Sequence, residues 1–164
     1  MSNIKVFEND LPDDLDLSNE KFIGLDNEAL GLVLGRDPLT LVQLGLESKN
    51  FYLVKLNRET YKAPNLVKVL SNGNTQFIMH YARQDLMWLK YHLNVKPKNI
   101  FCTKVASKIA RTASSFHGYK DLVKELCGKD ISKKEQQSDW GDPNLSEKQI
   151  KYAASDTEYL FDIR

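Results

Sequence analysis

The sequence predicts an α/β domain built on a mixed β-sheet, and two patterns support this prediction. Three strand-like segments lie close together near the N-terminus, and connections this short produce an antiparallel meander. Strand-like and helix-like segments then alternate up to the C-terminus, which is typical of α/β folds. The chain has 164 residues, 41% of them hydrophobic, so it can bury one ordinary core. We therefore expect one domain over residues 1–164.

Five segments have the apolar runs or the alternating patterns of β-strands. The first three form the meander, and the turn-forming residues Gly35, Asp37 and Pro38 separate the first strand from the second. The last two alternate with helices. The predicted strands cover residues 22–30, 39–48, 50–56, 76–81 and 100–104.

Five further segments are predicted as helices. Gly128 is a typical C-cap and ends the fourth helix. Ser146 with Gln149 three residues later is a capping box, which sets the start of the last helix. The polar segment between these two helices is predicted as a loop. The predicted helices cover residues 63–72, 82–93, 105–114, 117–128 and 145–164.

Composition and charge exclude several classes of protein. The 23 Lys and Arg balance 22 Asp and Glu to a net charge of +1, so no global positive field indicates nucleic acid. No apolar run approaches the ~20 residues that span a bilayer, and the N-terminal residues resemble neither a secretory signal nor a transit peptide. Cys102 and Cys127 have apolar neighbours and no metal-ligand spacing. We expect reduced core cysteines in a cytoplasmic protein without membrane contact.

The stretch FIGLDNEAL places two carboxylates inside an apolar run. Side chains alternate across a strand, so Asp26 and Glu28 lie on the same face. Two unpaired charges in a partly buried place would cost several kcal/mol or stay protonated. A hard cation such as Mg²⁺ or Mn²⁺ removes this cost, because such ions prefer oxygen ligands. The alternative is that both residues end the strand in solvent or pair with a nearby cation.

Two more carboxylates and a tyrosine lie at the ends of predicted elements. Asp85 follows a buried strand and opens a helix, where it would also satisfy the helix dipole. Tyr152 precedes Asp156 by one turn of the last helix, so their side chains are neighbours. Taken alone, the position of Tyr152 favours a half-buried aromatic that anchors the helix.

Together these residues resemble a known family. Asp-x-Glu on an early strand, an Asp after HYARQ, and Tyr-x-x-x-Asp on a late helix are similar to the DEDDy group of 3′-to-5′ exonucleases. The chain most resembles the ribonuclease D family in its short, single-domain bacterial form. The segments LVQL, CTKVASKIART, HGYKDLVKELCG, QQSDW and YAASDTEYL extend the likeness from about residue 22 to the C-terminus. The resemblance implies an RNase H-like fold, with a five-stranded mixed sheet flanked by helices and no C-terminal accessory domains.

The resemblance also implies a two-metal mechanism. It assigns Asp26, Glu28, Asp85 and Asp156 as ligands of two Mg²⁺ or Mn²⁺ ions, which clamp the attacking and leaving oxygens of a phosphoryl transfer. Tyr152 completes the catalytic set by orienting the attacking water or helping to deprotonate it. The product would be a nucleoside 5′-monophosphate released from a 3′ end.

One position departs from the family pattern. Members commonly have threonine between the first two acids, and this chain has Asn27. We expect the Asn27 side chain to point away from the metal ligands, because side chains alternate along a strand. Metal binding should therefore survive the change.

A basic segment is the candidate track for the phosphate backbone. Residues 104–134 contain eight Lys or Arg and three acids, a local balance of 8 − 3 = +5. Lys104, Lys108 and Arg111 fall on one stripe of a predicted helix, as a phosphate track requires. Trp140 could stack on single-stranded ends. The alternatives are a solvated helix face for the stripe and a loop plugged onto the core for Trp140.

Three more residues are assigned to substrate binding. His80 ends a strand and could touch substrate, although a hydrogen-bonded core histidine is an equal alternative. His117 precedes a helix start, and only the family likeness suggests a place near substrate. Leu30, at the end of the first predicted strand, completes the set.

The leading hypothesis is a metal-dependent 3′-to-5′ exonuclease acting on single-stranded ends, with RNA as the expected substrate. DNA is the alternative substrate, since no residue declares a contact to the 2′-hydroxyl. A second hypothesis is a catalytically silent nucleic-acid-binding module of the same fold, and a third is a domain that metal only stabilises. The sequence does not indicate an oligomeric state.

Overall fold

The computed structural model describes residues 3–132 and 134–164. This part of the chain forms one mixed sheet with helices packed on it. The strands are β1 Asn3–Glu8, β2 Phe22–Ala29, β3 Leu39–Gly45, β4 Asn50–Lys55, β5 Gln76–Met79 and β6 Ile100–Cys102. The helices are α1 Pro64–Leu70, α2 Arg83–Leu93, α3 Thr103–Ala110, α4 Tyr119–Cys127, α5 Glu147–Glu158 and α6 Leu160–Ile163. None of these helices has the length and apolar character needed to cross a bilayer.

The strand order in the sheet is β1-β4-β3-β2-β5-β6. Strands β2, β3 and β4 form the predicted antiparallel meander. Strand β5 pairs parallel with β2, and β6 pairs parallel with β5. The prediction of a mixed α/β sheet flanked by helices is confirmed.

The sheet has six strands in the described residues, so the expected number of five was wrong. The additional strand, β1, pairs parallel with β4 at the edge of the sheet. Four of its six residues are exposed, because an edge strand buries little side-chain surface. Its backbone pairing therefore leaves no apolar pattern in the sequence.

The helix ends follow the predicted capping signals. Ser146 and Gln149 form both bonds of the capping box at the start of α5. Gly128 adopts the left-handed conformation at the end of α4. The predicted last helix divides at Tyr159 into α5 and α6, and the Tyr159 amide donates to the Tyr119 hydroxyl at 3.2 Å. At the break between the two helices, the backbone N–H therefore donates a hydrogen bond to a side chain of α4.

Buried side chains occupy both faces of the central strands. Strand β3 is buried at all seven positions, as expected for a strand covered on both sides. One core cluster includes Trp88 and Leu89 of α2 beneath the meander. A second cluster joins Ala153 of α5 to the opposite face.

Two glycines let α5 lie directly on the sheet. A Cβ atom added to Gly45 would lie 2.6 Å from Thr157 Oγ1, and one added to Gly24 would lie 3.1 Å from the Thr157 carbonyl oxygen. Thr157 is fully buried between these strands. Any side chain at either glycine would therefore push α5 outward.

We expect Gly45→Ala to lower the free energy of unfolding by about 1–3 kcal/mol, because the new methyl group overpacks against Thr157. Urea denaturation measures this change. Gly73→Ala is the matched control, since nothing lies within 4 Å of its added Cβ, and it should stay within about 0.5 kcal/mol of the wild type. Equal stability of the two variants would show that α5 does not need the close approach.

Candidate active site

Three carboxylates converge where α5 crosses β2. Asp26 and Glu28 lie two residues apart on β2, and Asp156 lies on α5. One carboxylate oxygen of each lies within 4.8 Å of the others, and all three side chains are half-buried. The three carboxylates meet because alternate residues of β2 share a face and because Gly24 and Gly45 let α5 approach that face.

The fourth predicted acid, Asp85, borders the same cavity from the other side. It lies in the first turn of α2 and is only 8% exposed. The Asn27 side-chain amide donates to the Asp85 backbone carbonyl at 3.3 Å. Asn27 therefore contacts α2 rather than joining the three carboxylates, and it ties the start of α2 to β2.

The acids surround a cleft of ≈ 360 Å³. We call this cavity the acid cleft; besides the four acids, it is bordered by Tyr81, Gln84, Lys104, Tyr119, Lys120 and Tyr152, among others. A second cavity of ≈ 650 Å³, the side groove, is bordered by Leu30, Leu32, Trp88, Gln137 and Trp140, among others. Five residues border both cavities, so the side groove continues from the acid cleft: Asn27, Glu28, Gln84, Asp85 and Gln136.

Burial makes this cluster unfavourable without a counter-ion. Burial raises the pKa of Asp26 to about 7. Burial, and then the charges of Asp26, Asp156 and Asp85, raise the pKa of Glu28 to about 10. The pKa of Asp85 is also raised, first by burial and then by Asp26. Within residues 3–132 and 134–164, none of Asp26, Glu28 and Asp85 forms an ion pair with lysine or arginine.

The donor set fits a hard divalent cation. Mg²⁺ and Mn²⁺ prefer carboxylate oxygens and water, and the three clustered side chains offer one oxygen each at close range. A bound cation would also offset the mutual repulsion that raises the pKa of Glu28. The residues present therefore suit the metal that the family resemblance implies.

Tyr152 lies one turn before Asp156 on α5, as the sequence predicted. It borders the acid cleft and is half-buried. Burial raises the pKa of the Tyr152 hydroxyl, and the charge of Asp156 and a hydrogen bond to it raise the pKa further. The phenol therefore keeps its proton at neutral pH.

Tyr119 is a further residue of the site that was not predicted from the sequence. Its hydroxyl donates to the Ser155 carbonyl at 2.8 Å and accepts from the Tyr159 amide at 3.2 Å. These bonds hold the backbone on both sides of Asp156. Tyr119 belongs to the segment HGYKDL that carried the family likeness, but only the fold brings its hydroxyl to α5.

His80 borders the acid cleft, as predicted for a substrate contact. Its Nδ1 lies 3.0 Å from Thr103 Oγ1, and its ring centroid lies 5.6 Å from that of Tyr119. His80 thus combines the two alternatives, because it is a hydrogen-bonded histidine at the edge of the cleft.

The predicted basic stripe does not form one continuous track. Lys104 borders the acid cleft, whereas Lys108 is exposed outside it. Arg111 forms an ion pair with Glu125 and donates to the Phe116 carbonyl at 3.2 Å. Lys104 is therefore the member of the stripe that borders the acid cleft. Residue 133, which counted toward the local charge, lies outside the described residues.

The remaining predicted substrate residues differ in their placement. Trp140 is 4% exposed and packs against Leu41 and Leu53, which favours the alternative of a loop plugged onto the core. His117 Nδ1 pairs with Ser107 Oγ at 2.9 Å and does not border the acid cleft. Leu30 is 39% exposed and borders the side groove.

The fold is a mixed sheet with flanking helices, and β2 and α5 together carry a cluster of carboxylates. This combination defines an RNase H-like domain with an acidic centre. Residues 8–164 match the model of a family described as 3′-5′ exonuclease, and the chain belongs to that family. Ribonuclease D of Xanthomonas oryzae pv. oryzae is 32% identical over 161 residues, or 94% of this chain and 42% of that protein. The chain spans less than half the length of the curated ribonuclease D relatives it matches.

Solved structures of NrnC from Brucella melitensis have the same fold. The structure bound to pGG is 39% identical with a TM-score of 0.92, over 99% of this chain and 78% of that chain. The structure with bound Mg²⁺ is 38% identical with a TM-score of 0.91, over 98% of this chain and 78% of that chain. These similarities agree with an acidic centre that uses divalent metal.

We expect the metal-free protein to lose stability as the pH rises from about 5 to about 8. The folded chain raises the pKa of Asp26 to about 7 and that of Glu28 to about 10, whereas in the unfolded chain both are about 4. The folded state thus binds more protons, so the free energy of unfolding falls with rising pH.

Urea denaturation in EDTA at both pH values measures this fall, and Mg²⁺ should reverse it at pH 8. Asp26→Asn is the control, because it removes one of the ionising groups and should make the fall shallower. A metal-free protein that gains stability over this pH range would contradict the assignment of the raised pKa values.

Proposed function

We propose that this chain is a metal-dependent 3′-to-5′ exoribonuclease that removes nucleotides from single-stranded RNA ends. One observation carries the proposal: Asp26, Glu28 and Asp156 converge within 4.8 Å in a chain of the 3′-5′ exonuclease family. Asp85 and Tyr152 border the same cleft. We propose these five residues as the catalytic set, carried by a single domain.

The proposed cofactor is a pair of divalent ions, Mg²⁺ or Mn²⁺, held by Asp26, Glu28, Asp85 and Asp156. NrnC with bound Mg²⁺ supports the choice of metal. When bound, such ions supply Lewis acidity toward the scissile phosphate and the attacking water. The protein's own contribution is to hold the four carboxylates at fixed positions on β2, α2 and α5.

Tyr152 positions the attacking water in this proposal. A phenol whose pKa is raised by burial keeps its proton at neutral pH and is a poor general base. The protonated hydroxyl has one proton to donate, and its oxygen can still accept a hydrogen bond from water. Tyr119 supports the arrangement, since its hydroxyl bonds the backbone beside Asp156 at 2.8 Å.

The proposed substrate is a short, single-stranded RNA whose 3′-terminal nucleotide lies in the acid cleft. Cavities of about 300–1,000 Å³ suit small ligands, and the acid cleft and the side groove have volumes of ≈ 360 and ≈ 650 Å³. NrnC bound to pGG supports a short substrate. Lys104 and Lys120 border the acid cleft and would meet the phosphates. The proposed product is a nucleoside 5′-monophosphate.

We also propose that the protein acts in the cytoplasm. Cys102 and Cys127 are both free thiols, and reduced cysteines are typical of that compartment.

Digestion of 5′-labelled RNA and DNA of one sequence, side by side, tests the proposed function. We expect a ladder that shortens from the 3′ end, with RNA cleaved faster, because the family relatives include ribonuclease D. EDTA should abolish cleavage, and Asp26→Asn should reduce it by orders of magnitude, because the remaining carboxylates would hold metal poorly.

Circular dichroism of Asp26→Asn serves as the fold control, and its spectrum should match that of the wild type. Full activity in EDTA would exclude the metal mechanism. Binding of RNA without release of mononucleotides would instead indicate the silent binding module.

Tyr152→Phe separates the role of the tyrosine from that of the metal ligands. The variant keeps the ring but loses the hydroxyl, so the turnover rate should fall by ~10²-fold, the order that misplacing a reacting group costs, while Mn²⁺ affinity stays nearly unchanged. Asp156→Asn should reduce both. Titration calorimetry with Mn²⁺ and single-turnover kinetics measure the two quantities. Wild-type turnover by Tyr152→Phe would make Tyr152 a packing residue only.

A further inference from the structure

Tyr81 has a backbone conformation that bulky residues rarely adopt. Its φ angle is 61°, in the left-handed region, where a side chain other than glycine is strained. The residue joins the end of β5 to the start of α2, between His80 and Ala82. Nothing in the proposed catalytic set explains why a tyrosine occupies this position.

The Tyr81 ring stands at the rim of the acid cleft. The residue is 52% exposed and borders the cleft together with Asp85 and Lys104. The ammonium group of Lys104 lies 3.9 Å from the ring centroid, which is a cation–π contact. Lys104 therefore covers one face of the ring, while half of the residue remains open to solvent.

The other aromatic side chains of the two cavities are less available. Tyr119 binds the α5 backbone through its hydroxyl, and Tyr152 packs against Trp140 with ring centroids 6.0 Å apart. Trp88 and Trp140, which border the side groove, are 2% and 4% exposed. Of the tyrosines and tryptophans that border either cavity in residues 3–132 and 134–164, Tyr81 is the most exposed residue.

We propose that Tyr81 is the base-stacking platform of this site. Its ring binds a nucleobase of the RNA whose scissile phosphate lies in the acid cleft. The proposal rests on the proposed function and adds its recognition element. Stacking on an aromatic ring tolerates every base, because each base has a π-face. Lys104 beneath the ring supplies positive charge for the adjacent phosphate. The pair therefore recognises an RNA end without selecting its sequence.

Tyr81→Gly and Tyr81→Phe test this proposal. Glycine removes the ring and accepts a φ angle of 61° without strain, so the melting temperature should equal or exceed that of the wild type. Phenylalanine keeps the ring and should bind as the wild type does. The Kd of 5′-fluorescein-labelled RNA is measured by anisotropy with Ca²⁺ in place of Mg²⁺, and KM and kcat are measured with Mg²⁺.

We expect Tyr81→Gly to raise Kd and KM by about 5- to 150-fold, the range for loss of one base–aromatic stack, while kcat falls less. RNAs that lack either the terminal or the penultimate base provide the second comparison. One of these two abasic RNAs should bind the wild type as weakly as intact RNA binds Tyr81→Gly. Tyr81→Gly should bind that abasic RNA no more weakly than it binds intact RNA.

Lys104→Ala is the matched control for charge. It should reduce the slope of log Kd against log salt concentration by about one unit, as expected for the loss of one phosphate contact. Tyr81→Gly should leave that slope unchanged.

Unchanged Kd and KM in Tyr81→Gly, or an equal loss on intact and on both abasic RNAs, would overturn the stacking role. A wild type that binds RNA but releases no nucleotide would contradict the proposed function instead. The anisotropy measurement would still decide the role of Tyr81 in that case, because it needs no hydrolysis.

Discussion

The contact between α5 and the sheet is the constraint on which the site depends. Gly24 and Gly45 leave room for Thr157, and a Cβ at Gly45 would lie 2.6 Å from the Thr157 hydroxyl. Asp156 precedes Thr157 by one residue, so the same contact that seals the core places its carboxylate beside Asp26 and Glu28. Core packing and active-site geometry are therefore one feature of this fold.

The convergence of carboxylates works against the stability of the metal-free protein. Burial raises the pKa of Asp26 and, with the neighbouring charges, that of Glu28, which means that the folded chain disfavours their ionised forms. A hydrophobic core on both faces of β3 compensates for this penalty. A site that binds hard cations thus depends on a scaffold that stays folded while like charges repel one another.

Hydrogen bonds from outside the acidic set hold the elements that carry the acids. Asn27 donates to the Asp85 carbonyl and ties α2 to β2, while Tyr119 binds α5 on both sides of Asp156. A threonine, common at the position of Asn27 in the family, is shorter and has no amide donor. In this chain the residue between the first two acids therefore contacts the segment that carries Asp85.

The sequence by itself determined the α/β class and the meander, because these depend on local periodicity. It also placed Asp26 and Glu28 on one face of a strand and Tyr152 beside Asp156 on a helix, whereas their assignment, with Asp85, to one site came from the family resemblance. It did not determine β1, whose pairing involves the backbone of a distant strand and leaves no apolar pattern. Nor did it predict which of the residues expected to bind substrate border the cleft and which are buried or paired elsewhere. Arg111 pairs with Glu125, 14 residues away along the chain, and Trp140 is buried against β3 and β4. Exposure and charge pairing of a side chain depend on residues distant in sequence, so only the tertiary structure decided which candidates face the cleft.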